Sequence, residues 1–588
     1  MRNYDRVNPR KPEGIEKRKA YIIGGGIAGL SAAAFLVRDA HMPGENITVY
    51  DQLPVFGGSM DGCGNVENGY VSRGERELEP YMECLWDLFG SIPSLEEEGR
   101  TVLDETRESN ANLEICPKHR LWEVGFTEHD ESAPAMGVTK QDQQQMIKMA
   151  LTPEEELEDI AIEQWFSKDF FKSTLWYYWA SMLAFKPYHS LIEMKRYTVR
   201  FMHSIDGIEH LKGILRTKHD QYNSLIKPLI TYLSDSGVNF VANTTVSDMD
   251  LKIEGNKKTV TALVLNQDGK ESRQVVNKDD VVYFTNGSMT QNSSLGTNDT
   301  APVVNRDLEH RGCFTLWEKL AAKSDVFGKP EKFVSTIDKS TFVSCSMTVK
   351  GYKDFINYIV NKTDVPVGAA GAITFVNHPW FITISVAEPP VFPDQPEDVD
   401  FVWFYGLYPE NEGIVVKKKM ADCTGDELLK EFCHCIGFDE HYEEVRKHTK
   451  VIPAVMPYIT SQFMPRGLKD RPEIIPEGCT NLAFIGQFVE LEGDVVFTVE
   501  TSVRTAMTAV YRTMHLDKPI TPLYKGHYDI RICVTCLKKL LGKDKIELSD
   551  LPEVNFLHIK RDMQKLLDAV NSLPNATSTY YPEREENK

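Results

Sequence analysis

Three features of the sequence predict an α/β fold built on a parallel sheet whose strands come from distant parts of the chain. The first is Tyr21-Ile22-Ile23 followed by Gly24-Gly25-Gly26-Ile27-Ala28-Gly29 and an Ala-rich run, Leu30 to Arg38. The second is the apolar run Ile47-Thr48-Val49-Tyr50 ending in Asp51. The third is a second Gly-containing segment more than four hundred residues later, Asn481 to Ala506 (NLAFIGQFVELEGDVVFTVETSVRTA).

Gly24, Gly26 and Gly29 fit G-x-G-x-x-G between a short buried strand and a helix. In that pattern the first glycine allows the tight turn, the second lets backbone approach a pyrophosphate, and the third lets the helix pack closely on the sheet. The helix N-terminus then offers N–H groups to phosphate oxygens. An acid that binds ribose is expected about 20 residues later, and Asp51 stands there. The alternative is a Gly-rich turn with a purely structural role. A membrane span is excluded because the uncharged run Tyr21–Val37 is short of the roughly 20 apolar residues that a span needs. Gly57-Gly58-Ser59-Met60-Asp61-Gly62 adds a glycine pair just beyond the acid. Val281 to Gly287 has the form of a late strand closed by a Gly turn. NAD enzymes rarely combine these features, so FAD is favoured, in a Rossmann-like domain built from discontinuous segments.

Length and composition bound the rest. A chain of 588 residues predicts two to four domains, and 41% hydrophobic content is ample for their cores. A net charge of −20 argues against nucleic acid as a partner. The basic N-terminus (Arg10, Lys11, Lys17, Arg18, Lys19) lacks an apolar core and cleavage site, so no signal peptide is read, and a cytoplasmic location is expected. The 11 cysteines form no regular framework. Cys533-x-x-Cys536 has redox or zinc spacing without a matching second pair, so no metal is expected.

Along the chain, residues 1–20 read as an arm. Residues 20–135, 220–300 and 475–520 are assigned to the cofactor domain, and 136–219 with 301–474 to a mixed α+β substrate domain. Residues 521–588 form a helical C-terminal region. Tyr81 to Phe89 has helical apolar spacing, 140–235 looks mostly helical and rich in aromatics, and 238–290 returns to strands. The aromatic stretch 165–188 is either an ordinary helical core or a cavity for a long apolar ligand. His558 to Leu573 is amphipathic with basic residues on one side. It either packs on its own domain or lies on an anionic membrane surface.

Several blocks, among them RGERELEPYMECLWDLFGSIPSLE, QPEDVDFVWFYGLYPENEG and MPYITSQFMPRGLKDRPEIIPEGC, resemble the oleate hydratases, also called myosin-cross-reactive antigens. The resemblance runs in order from about residue 10 to about residue 545. It implies FAD-dependent, redox-neutral addition of water to a cis double bond of a free long-chain fatty acid, oleate becoming 10-hydroxystearate. It also implies a homodimer as one available assembly. The family's R-G-G-R-E loop falls on Arg73-Gly74-Glu75-Arg76-Glu77, which makes Glu77 the group that activates water. The family's catalytic tyrosine falls on Tyr197, the proton donor to the alkene, with Arg196 or Arg200 able to stabilise a phenolate.

Cofactor contacts are expected from Gly24, Gly26, Ala28 and Gly29, then from Asp51, Gln52, Gly58 and Ser59. Further contacts are expected from Arg73 and Gly74 of the loop, from Val246 and Gly287, and from Gly486, Phe497 and Thr501 in the returning segment. Asp220 and Ser385 are the expected substrate contacts. Three positions depart from the family pattern. Glu75 replaces the loop's second glycine, Asp220 replaces an Asn, and Ala387-Glu388-Pro389-Pro390-Val391-Phe392 stands where Asn-Arg-Gln-Pro-His-Phe is usual. Two alternatives share the same cofactor motifs: a flavin-dependent lipid oxidoreductase and an inactive fatty-acid-binding relative.

Overall fold

The computed structural model describes residues 9–60, 62–74, 77–111, 120–369, 372–547 and 550. Glu75 and the amphipathic segment 558–573 lie outside the described residues.

The short apolar runs form a five-stranded parallel sheet. Its order is Leu482–Ile485, Val281–Thr285, Ala20–Ile23, Ile47–Tyr50 and Asn239–Val241. The four strands from Leu482–Ile485 to Ile47–Tyr50 are almost wholly buried, as expected for a parallel sheet covered on both faces, while the edge strand Asn239–Val241 is partly exposed. The chain enters at the middle strand, builds outwards to one side, and returns later to build the other. The strand order therefore reverses between Ala20–Ile23 and Val281–Thr285, where open α/β sheets bind ligands at the carboxyl ends of their strands. Registers of Ile23 with Phe284 and of Thr285 with Ile485 bring the turns at Gly24, Gly287 and Gly486 side by side. The helix Ile27–Arg38 packs on the helix Val499–Thr513, and its Ala32, Ala33 and Ala34 are fully buried.

A three-stranded antiparallel sheet, Thr244–Glu254, Lys257–Gln267 and Lys270–Val275, accounts for the strands expected at 238–290. The second large sheet has eight strands. Its centre is Phe342–Lys350, Val399–Gly406 and Ile382–Val386, joined antiparallel. Side chains alternate across this sheet. Val402 and Phe404 face one core with the helices Lys353–Thr363 and Gly425–Cys435, whereas Phe401, Trp403 and Tyr405 face another with the helices Thr174–Leu183 and Leu191–Arg200. The second face positions the site.

The domain boundaries differ in detail from those expected. The strands Leu121–Glu123 and Thr127–Glu128 join the eight-stranded sheet. The helix Cys313–Ala321 packs into the core of the parallel sheet through Phe314, Trp317 and Leu320. Chain order does not decide these placements; the buried apolar face of each element does. The expected helix at 81–89 begins at Glu83. No helix among the described residues is long and apolar enough to cross a membrane.

Candidate functional site

Two cavities share the lining residues Arg73 and Val499. The first, of 370 Å³, lies at the carboxyl ends of its strands. Glycine makes it. Gly24 has φ +96°, and a Cβ there would stand 2.9 Å from the Thr285 Cβ. A Cβ on Gly29 would stand 2.0 Å from the Gly24 carbonyl oxygen, so Gly29 sets helix-to-turn packing and does not line the cavity. Asp51 accepts the Gly25 N–H through Oδ2 at 2.8 Å and the Leu53 N–H through Oδ1 at 2.8 Å. Burial raises its carboxyl above the usual range against those two donors.

Of the expected cofactor contacts, Gly24, Gly26, Ala28, Asp51, Gln52, Gly58, Ser59, Arg73, Val246, Gly287 and Gly486 line this cavity. Two other expected contacts, Gly74 and Phe497, line the second cavity. Thr501 lines neither. It sits in the first turn of the helix Val499–Thr513, donates its hydroxyl to the Val495 carbonyl and takes the Thr498 Oγ1 with its N–H. Sequence reasoning missed the loop 288–293, Gly312 and Cys313. Their only signal is position after the strand Val281–Thr285.

The donor set fits a dinucleotide. The first turn of the helix Ile27–Arg38 points N–H groups without intrahelical acceptors at the cavity. Thr285 Oγ1 on the wall is buried without a partner among the described residues. Gly29→Ala is expected to give a protein that no longer retains cofactor, because backbone must move by more than an ångström; absorbance of the purified variant checks this, and a fully loaded protein would contradict it.

The second cavity, of 190 Å³, lies between the eight-stranded sheet and the helices Thr174–Leu183 and Leu191–Arg200. Glu77, Tyr197 and Ser385 all line it, although 120 residues separate the first two and 188 the last two. Arg73 and Val499 line both cavities. Arg73 donates to the Gly58 carbonyl at 2.9 Å and to Ser293 Oγ at 2.5 Å, so it ties the cofactor loops together where the cavities join. Trp179, Leu183 and Ala184 from the aromatic stretch also reach the wall, while Phe166, Phe170 and Trp176 pack in the core.

Tyr197 is buried, with its ring edge-on to Phe185 at 5.2 Å and to Phe463 at 5.7 Å. Its hydroxyl donates to the Val496 carbonyl. Burial, then the charges of Glu193 and Asp494, push the phenol well above its usual value, with Arg471 pulling the other way. The expectation that Arg196 or Arg200 serves this phenol is corrected. Arg196 pairs with Glu154 at 2.7 Å and Glu490 at 2.6 Å, and Arg200 pairs with Glu79 at 2.8 Å. Glu77 is half-buried, and its charge, after burial, helps raise the Tyr405 phenol opposite.

Glu79, two residues on, was not anticipated. Burial alone would raise its carboxyl, but Arg200 and His203 outweigh burial and hold it low. Asp220, an expected substrate contact, is placed elsewhere. It lines neither cavity but takes the N–H groups of Tyr222 and Asn223 at 3.0 and 3.2 Å, at the start of the helical stretch 222–235. An acid one step before a helix serves the free backbone N–H groups there. Ala387 is packed in the core.

One turn before Tyr197, Glu193 is fully buried between Arg466 at 2.8 Å and Arg471 at 3.0 Å. Burial opposes its ionisation, yet Arg471, Arg466 and Arg196 bring its carboxyl from 4.5 down to about 2. Burial and the neighbouring Arg466 lower Arg471 to about 10, so both partners are ionised at neutral pH. The folded value lies below the unfolded one. The stabilisation, on the order of 3 kcal/mol, is therefore complete above pH 4.5 and is lost as pH falls towards 2. Glu193→Gln is expected to cost about 3–5 kcal/mol in denaturant unfolding at neutral pH, because it leaves buried arginine unpaired. An unchanged midpoint would contradict this.

Known proteins resemble this sequence along most of its length. The chain is 38% identical over 563 residues to an oleate hydratase of Streptococcus pyogenes serotype M49 (strain NZ131), covering 94% of each chain. It is 31% identical over 542 residues to a linoleate hydratase of Lactiplantibacillus plantarum, covering 84% of this chain and 93% of that one. Among solved structures, cyclohexylamine oxidase from Brevibacterium oxydans IH-35A is 12% identical with a TM-score of 0.45, covering 85% of this chain and 99% of that one. Residues 17–511, which hold both cavities and every residue placed in them, match the MCRA family, and the chain belongs to that family.

Proposed function

We propose that this protein is an FAD-dependent hydratase of free, long-chain, cis-unsaturated fatty acids, with oleate converted to 10-hydroxystearate. The observation that carries the reading is one apolar-walled cavity holding both Glu77 and Tyr197 and meeting a dinucleotide-shaped cavity at Arg73. The relatives named for hydration of oleate and linoleate support the same chemistry. The residues lining the first cavity would hold FAD, which would supply polar surface and local charge beside the substrate.

The chain's own residues do the rest. Met82, Leu183, Phe201, Ile208 and Phe342 offer apolar wall to an acyl chain, worth about 0.8 kcal/mol per methylene taken from water. Glu77 takes a proton from water as its oxygen bonds to one alkene carbon. Tyr197 gives its phenolic proton to the other carbon. One O–H bond of water and the alkene π bond break, one C–O and one C–H bond form, and the proton returns from Glu77 to Tyr197 between turnovers, so the reaction is redox-neutral overall. The raised phenol is a weak acid but is kept fully protonated, which leaves positioning in a dry site to supply most of the acceleration.

Turnover of oleate without oxygen uptake, followed with an oxygen electrode and product mass spectrometry, tests the class of reaction. A product lighter by two hydrogens would replace the hydratase reading with an oxidoreductase.

A further inference from the structure

Two buried donors on the substrate-cavity wall have nothing to bind. Trp179 and Trp403 are 7% and 8% exposed, and the indole N–H of each is without an acceptor among the described residues. Both line the second cavity. Buried N–H groups in folded proteins are nearly always paired. Every other indole donor for which a bond is resolved has one: Trp86 to Glu79, Trp165 to Gln145, Trp317 to Phe327 and Trp380 to Asn411, all to carbonyls. Two orphans on one cavity point to an acceptor that arrives with the ligand.

Their placement says which acceptor. Trp403 lies on the strand Val399–Gly406, with its ring 5.3 Å from that of Tyr405, the phenol on which the Glu77 charge acts. Trp179 comes from the facing helix Thr174–Leu183, 6.1 Å from Phe185, whose ring is edge-on to Tyr197. The helix and strand are fastened together here by the Tyr405 hydroxyl, which donates to the Ser181 carbonyl. Trp179 is thus one ring away from Tyr197, and Trp403 lines the same cavity as Glu77. A carboxylate head group in this stretch would lie beside Glu77 and Glu79, where like charge opposes it. A neutral oxygen suits neutral donors.

We propose that Trp179 and Trp403 are positioning residues that hold the oxygen contributed by water, first as the attacking water and then as the product hydroxyl. As the attacking water that oxygen accepts from one indole N–H, donates a hydrogen to Glu77 and keeps a lone pair for the alkene carbon; as the product hydroxyl it accepts from both. This assignment rests on the hydratase reading and gives the enzyme a preference for an acyl chain bearing a mid-chain hydroxyl.

The test compares the dissociation constants of 10-hydroxystearate and stearate, two saturated acids that differ by one hydroxyl, measured by calorimetry on the holoenzyme and on Trp179→Phe and Trp403→Phe. Phenylalanine keeps an aromatic plane and removes the N–H. The wild-type protein is expected to prefer the hydroxy acid by about 25-fold, with about fivefold lost in each variant and stearate affinity nearly unchanged. Stearate affinity reports whether each variant is folded; if one collapses, the other, on the opposite wall, decides. Equal affinity of the wild-type protein for the two acids, or a preference unchanged in both variants, overturns the proposal and leaves the hydratase reading standing. A change in one variant alone overturns the paired arrangement. Failure of the wild-type protein to bind either acid overturns both.

Discussion

Glu77→Ala leaves a folded, yellow protein that still binds oleate and hydrates it at least about 10²–10⁴-fold more slowly. The reasoning is local. Glu77 lies on the cavity wall and in none of the apolar cores, so its removal takes little from the fold. The cofactor loops are tied by Arg73, which the substitution leaves in place. What disappears is the base assigned to the attacking water. Product formation, flavin absorbance and oleate affinity measured on one preparation check all three parts. Turnover within about tenfold of the wild type would move the water-activating role elsewhere, with Glu79 as the next acid on the wall.

Tyr197→Phe carries the second large effect. The ring contacts with Phe185, Phe201 and Phe463 survive, and the protein loses only a hydroxyl and its bond to the Val496 carbonyl. Turnover is expected to fall by about 10²-fold or more with substrate affinity little changed. The pH profile gives a sharper check. The phenol is displaced well above 10, so the proton-bound form that the reaction needs is full throughout roughly pH 7–9. Raising the pH across that window therefore leaves the contribution of Tyr197 intact. A rate that drops with an apparent value below about 9, and ceases to do so in Tyr197→Phe, would contradict the assigned environment.

The fold could be read locally where chemistry restricts residue type. Gly24, Gly29 and Asp51 are fixed by turn geometry, helix packing and a carboxylate facing backbone N–H groups, so spacing alone finds them. Glu77 and Tyr197 carry no such local restriction. Their meeting depends on a loop and a helix brought to one cavity by two separate cores, and only resemblance to a family placed them together in advance. Asp220 and Thr501 lie outside both cavities, where an acid or hydroxyl at a helix start has a second use, bonding free backbone N–H groups. The tryptophans were hidden differently. In Phe401-Val402-Trp403-Phe404-Tyr405 both faces of the strand are covered, so every residue is apolar and alternation shows only when the two cores are seen.

The central claim is that this cavity adds water to an alkene and consumes no oxidant. Purified protein with FAD and oleate, in heavy-oxygen water and without air, tests it most directly. The account predicts a hydroxystearate carrying the heavy oxygen, with the flavin unconsumed over many turnovers. A dehydrogenated product, or one formed only when air is admitted, would contradict it.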